Sequence, residues 1–134
     1  MKALFDTNVL LAAFLSNGVC YELYIETHDK CAVFHTAFVL HEFSRTLKTK
    51  FHFHEDRINE LVSFVKSTSR AGITGETTVT VCRDINDNQI LSDALANDID
   101  VIVTGDKDLL ILKSYETAKI LSPAQFLLLM KQLS

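Results

Sequence analysis

The chain has no tryptophan, one proline, four glycines and three cysteines in 134 residues. So little proline and glycine excludes a collagen-like or low-complexity chain and leaves one rich in regular elements. Cys20, Cys31 and Cys82 are widely spaced and form no C-x-x-C pair. That pattern argues against a disulfide framework or a zinc ribbon and for free thiols in a reducing compartment. No apolar run approaches the length of a membrane span, and Met1 leads into a strand pattern, not a basic-then-apolar leader. The expected location is cytoplasmic, with no membrane partner. An excess of base is also missing: 13 Lys and Arg against 17 Asp and Glu give a net charge of −4. That argues against a general nucleic-acid coat and fits several acids concentrated in one site.

What is present is 48% apolar and 22% charged, in a length that suits one domain spanning residues 1–134 with a core of its own. The chain is organised around Lys2-Ala3-Leu4-Phe5-Asp6-Thr7-Asn8. A short apolar run ending in an acid, a hydroxyl and an amide, with a helical pattern directly after, is how a buried parallel strand ends. Strands are also expected at Cys31–Phe34, Thr77–Val81, Val101–Val103 and Lys119–Leu121. Helical spacing is expected from Thr7 to about Phe14, over Val19–Glu26, from Thr36 to about Lys50, over Asp56–Ser67, from about Asp87 through Leu95, and from Lys107 to about Leu112. Ser16-Asn17-Gly18 breaks the first pair of helices. Ser122, Pro123 and Gln125 form a capping box with proline at the first helical position, opening a last helix that ends near Leu133. Strands alternating with helices, none joined by a tight hairpin, imply parallel pairing through right-handed crossovers. The expected class is α/β: a three-layer α/β/α fold on a mostly parallel five-stranded sheet.

The carboxyl ends of such strands form the crevice where open α/β sheets bind ligands. Asp6, Glu42, Asp87 and Asp106 each fall at that edge or one helix turn beyond it. Carboxylates that converge repel, and a hard divalent ion with oxygen ligands, Mg²⁺ or Mn²⁺, relieves the conflict. Such an ion binds a phosphodiester, activates a water and stabilises the leaving oxygen. Singly, each acid has a plainer explanation: an aspartate at a helix start is usually a cap, and a lone glutamate within a helix is usually solvated. The set of four favours the site. Thr7, Asn8 and Thr104 would orient carboxylates, or else satisfy the turn backbone. Asp108 either joins from two residues beyond Asp106 or is a solvated first-turn acid. Arg45 could meet a phosphate or pair with Glu42 at i,i+3, and Lys48 lies one turn further along the same basic stretch.

These residues carry a family resemblance. Leu4-Phe5-Asp6-Thr7-Asn8-Val9-Leu10 resembles the opening of a PIN domain, and Glu42, in a helix after the second strand, matches that family's second acid. Asp87-Asn88-Gln89-Ile90-Leu91 and Val103-Thr104-Gly105-Asp106-Lys107-Asp108-Leu109-Leu110 resemble its third and fourth motifs. The order is kept over nearly the whole chain. The resemblance implies a Mg²⁺- or Mn²⁺-dependent ribonuclease with Asp6, Glu42, Asp87 and Asp106 as metal ligands and Thr104 in support. It also implies a small toxin of a toxin–antitoxin pair, commonly dimeric and held inactive by its antitoxin. Two other readings compete. One is a phosphatase of the haloacid dehalogenase type, with Asp6 as nucleophile, Thr36 on phosphate and Asp106 on metal, although Asn8 stands where that family's second aspartate belongs. The other is a non-catalytic interaction module of the same fold.

Overall fold

A computed structural model describes residues 1–16 and 18–133. Asn17, in the expected break at Ser16–Gly18, lies outside the described residues. In chain order the elements are β1 (Lys2–Phe5), α1 (Thr7–Leu15), α2 (Val19–Lys30), β2 (Ala32–His35), α3 (Ala37–Thr49), α4 (Glu55–Thr68) and β3 (Arg70–Ala71). They continue as α5 (Ile85–Ala96), β4 (Val101–Val103), α6 (Lys107–Leu110), β5 (Ser114–Tyr115), β6 (Ala118–Leu121) and α7 (Pro123–Gln132). The sheet order is β3-β2-β1-β4-β6-β5, parallel throughout except for the antiparallel β5–β6 pair.

The connectivity explains the layers. From β1 the chain steps outward to β2 and β3, then returns past β1 to β4 and on to β6. Right-handed crossovers taken in opposite directions put their helices on opposite faces of the sheet. Helices α1 to α4 accordingly pack on one another, with α7 closing over α2, and α5 covers the other face. The result is the three-layer α/β/α fold. Central β1 is covered on both sides, so Ala3, Leu4 and Phe5 are all buried. The Phe5 ring meets Tyr24 of α2 and Phe126 of α7 edge to face, with centroids 5.8 and 6.3 Å apart. Helix α3 buries the expected stripe of Val39, Leu40, Phe43 and Leu47. The Ser122 capping box forms as expected, with Pro123 opening α7. Cys20, Cys31 and Cys82 are free and half-buried. Among the described residues no single helix is long and apolar enough to cross a membrane.

Three expectations about the sheet need correction. It has six strands, not five. A tight hairpin does occur: β5 turns into β6 through Glu116, with φ of 52°, after Lys113 with φ of 63°. Thr77–Val81 is not a strand, and the third parallel strand is only Arg70–Ala71. The segment around the β-branched run is instead tied to α5 and its C-cap by polar side chains, which bond backbone groups at Ile73, Gly75, Thr77 and Cys82. Asn97 bonds Ile73 N–H and C=O, both at 2.8 Å. Asp93 accepts from Gly75 N–H at 2.8 Å, and Gln89 donates to Gly75 C=O at 3.1 Å. Ser92 donates to Thr77 C=O at 2.8 Å, and Asn88 clasps both backbone groups of Cys82. Buried backbone groups need partners, and here a helix face supplies what a neighbouring strand would have supplied.

Gly75 is where that strap comes closest to α5. A Cβ there would lie 2.2 Å from the backbone carbon and oxygen of Ser92, and backbone yields far less than a side-chain tip. Gly75→Ala is expected to destabilise the protein by about 1–3 kcal/mol, read as a lower urea midpoint. An unchanged midpoint would show that the strap is not held against the helix.

Candidate active site

The strand order reverses between β1 and β4, which is the switch point where such sheets open a crevice. At that point Asp6 N–H donates to Val103 C=O at 2.9 Å, extending the β1–β4 pairing. The side chains just beyond then face each other: Thr104 Oγ1 donates to Asp6 Oδ2 at 2.8 Å. Thr7 N–H donates to Asp6 Oδ1 at 2.7 Å, so Asp6 also caps α1. Thr104 Oγ1 in turn accepts from Asp106 N–H at 3.0 Å, tying the turn that carries Asp106. Asp106 caps α6 through Oδ1, which accepts from Asp108 and Leu109 N–H at 2.8 and 3.3 Å.

All four sequence-predicted acids reach one place. A cleft of about 210 Å³ is lined by Asp6, Glu42, Asp87 and Asp106, together with Thr7, Asn8, Phe38, Arg45, Thr46, Asp84, Asn86 and Ile90. Asp87 enters from the first turn of α5, which is capped by Asp84 Oδ1 accepting from Asn86 N–H at 2.8 Å. Glu42 enters from α3, and Arg45 bonds it at i,i+3, with Nη2 2.8 Å from Oε2. Thr7 serves Asp6 through its backbone, and the exposed Asn8 lines the wall with no side-chain hydrogen bond among the described residues. Lys48 stands outside the cleft, 3.2 Å from Glu55.

Asp108 is more than a solvated neighbour. One carboxylate oxygen from each of Asp87, Asp106 and Asp108 lies within 4.8 Å of the others. Asp84, from the segment expected to bring acids to this edge, also lines the cleft. Arg83 was not expected here: it donates from Nη2 to both oxygens of Asp108, at 3.1 and 2.9 Å.

Burial raises the Asp6 carboxyl above its usual value, opposed by the Thr104 and Thr7 hydrogen bonds and reinforced by Asp106 and Asp84. Asp87 is pushed up to about 7, first by burial and then by Asp106, Asp84, Asp6 and Asp108. Glu42 shifts the other way because Arg45 bonds and neutralises it. The Oδ2 atom of Asp87 is buried with no hydrogen-bond partner. A buried acceptor without a donor, beside two further carboxylate oxygens, fits a hard divalent cation. Asp87, Asp106 and Asp108 are close enough together to hold one, and Asp6 and Glu42 line the same cleft outside that cluster.

An α/β sheet with acids gathered at its switch point offers oxygen ligands that could hold a divalent metal. The PIN-domain family matches residues 2–108, and the chain belongs to that family. The fold is similar to that of VapBC2 from Rickettsia felis, solved bound to a DNA fragment from its promoter. The TM-score is 0.67 at 14% identity, over 91% of this chain and 98% of that one. PAE2754 from Pyrobaculum aerophilum is similar with a TM-score of 0.63 at 17% identity, over 98% of this chain and 90% of that one. No curated protein matches the chain.

The Asp87 carboxyl gives a signed pH dependence. The folded protein holds this proton to about pH 7, whereas an unperturbed aspartate loses it near 3.8. Folding therefore takes up a proton between those values, and this group's contribution to stability falls as pH rises from 4 towards 7. Asp87→Asn removes that loss. In metal-free buffer the variant should melt several degrees above the parent at about pH 8, with the gap closing near pH 4. Parallel melting curves across that range would contradict the assignment.

Proposed function

We propose that the chain, acting as one nuclease domain, is a metal-dependent endoribonuclease that hydrolyses RNA phosphodiesters. The observation that carries this reading is the unpartnered, buried Asp87 Oδ2 among the carboxylates of Asp106 and Asp108. In this reading Asp6, Glu42, Asp87 and Asp106 are the catalytic acids that hold Mg²⁺ or Mn²⁺, with Asp108 beside them. The ion supplies the charge that a phosphodiester needs and lowers the pKa of a water. Thr104 aims Asp6 through the Oδ2 bond, and Thr7 N–H fixes the other oxygen. Arg45 keeps Glu42 ionised and, with Lys48, borders the path of the RNA backbone. Membership of the PIN family and likeness in fold to VapBC2 support a toxin paired with an antitoxin; the same reading takes it to work in the cytoplasm as a homodimer.

The phosphatase reading loses its phosphate ligand. Thr36 is buried, and its Oγ1 accepts from Val39 N–H to cap α3.

Labelled single-stranded RNA incubated with Mn²⁺, Mg²⁺ or EDTA tests the proposal, beside Asp6→Asn purified identically. Cleavage should need metal and vanish in the variant while its circular dichroism stays that of the parent. Equal cleavage by both proteins would contradict it.

Thr104→Val tests the supporting role. The valine keeps the volume and removes the donor to Asp6, so Mn²⁺ affinity measured by calorimetry should fall about 10- to 100-fold. Unchanged affinity would remove Thr104 from the site.

A further inference from the structure

Arg83 precedes the cap of α5, and its side chain is 88% exposed. Its contact is one-sided: Nη2 alone donates to both Asp108 oxygens, and Nη1 and Nε make no hydrogen bond among the described residues. Whichever Asp108 oxygen joins Asp87 and Asp106, Nη2 is one hydrogen bond from that cluster. An ion pair this exposed is worth little, so exchanging it for a phosphate oxygen meets little resistance. A guanidinium matches the paired oxygens of a phosphate better than an ammonium does. Arg45, which lines the cleft, is likewise anchored on an acid, bonding Glu42 through Nε and Nη2. Each arginine is held at the rim by an acid of the site, one from α3 and one from the segment before α5.

We infer that Arg83 is a phosphate-binding residue of this site: Asp108 holds it at the rim, and its free donors take a non-bridging oxygen of the bound strand. The inference rests on the nuclease reading and names a contact within it. It separates Arg83 from a residue that merely steadies Asp108, because that role would show first in metal binding.

The test uses Asp6→Asn as the background, so that the strand is not cut. Binding of fluorescein-labelled single-stranded RNA is followed by anisotropy over a range of salt, with and without Arg83→Ala. Loss of one phosphate contact should lower the slope of log affinity against log salt by about 0.7. Arg83→Ala alone should lower kcat/KM for RNA cleavage by about 10- to 100-fold. The rise in melting temperature on adding Mn²⁺ should match the parent, and Arg83→Lys should recover part of the affinity. An unchanged salt slope would overturn the inference, as would loss of the Mn²⁺-induced rise. The same titration with single-stranded DNA separates the two levels. If DNA binds and RNA does not, the RNA reading fails while the slope on DNA still tests Arg83. Binding of neither strand overturns both.

Discussion

The hydrogen bond from Asp6 N–H to Val103 C=O, 2.9 Å long, completes the pairing of β1 with β4 and sets everything at the acidic edge. Two parallel strands in this register must release their next residues side by side. Those residues are Asp6 and Thr104, and their side chains meet at 2.8 Å. A slip of one residue would turn Asp6 to the other face and break the contact. The turn after β4 then carries Asp106 to the same crevice, and the first turn of α5 brings Asp87 in from the opposite face of the sheet. The site therefore depends on strand register before it depends on any single acid.

Bringing carboxylates together costs free energy, and the protein meets that cost differently at each one. Asp6 is held by a hydroxyl and a backbone N–H. Glu42 and Asp108 each have an arginine. Asp106 spends one oxygen on the cap of α6. Asp87 has none of these for its buried Oδ2, and its carboxyl stays protonated up to about pH 7. A protein selected only for stability would fill that place with a neutral or apolar group. The congestion is tolerable where a cation completes it, and Asp87, Asp106 and Asp108 are close enough together to hold one.

Much of this was legible in the sequence because the signals were local. A buried parallel strand reads as an apolar run, so β1 and β4 stood out, and the acid after each fell at the strand end. The Ser122-Pro123-Gln125 box was equally plain. The misses have physical reasons. Thr77–Val81 has strand chemistry, but Asn88, Gln89, Ser92, Asp93 and Asn97 bind its neighbourhood to α5, and such side-chain pairing has no periodicity to read. The β5–β6 hairpin turns through Glu116 in the left-handed region, where a glycine or asparagine would have announced it. Arg83 reaches Asp108 across 25 positions, a contact that only the folded chain reveals. Asp84 caps α5 and also lines the cleft.

The central claim is that these acids are gathered to bind a divalent cation. Crystals soaked in Mn²⁺ and measured for anomalous scattering test it most directly. The account predicts a strong peak among Asp87, Asp106 and Asp108, within coordination distance of Asp87 Oδ2. A well-soaked crystal with no peak there, or with manganese bound only elsewhere, would contradict it.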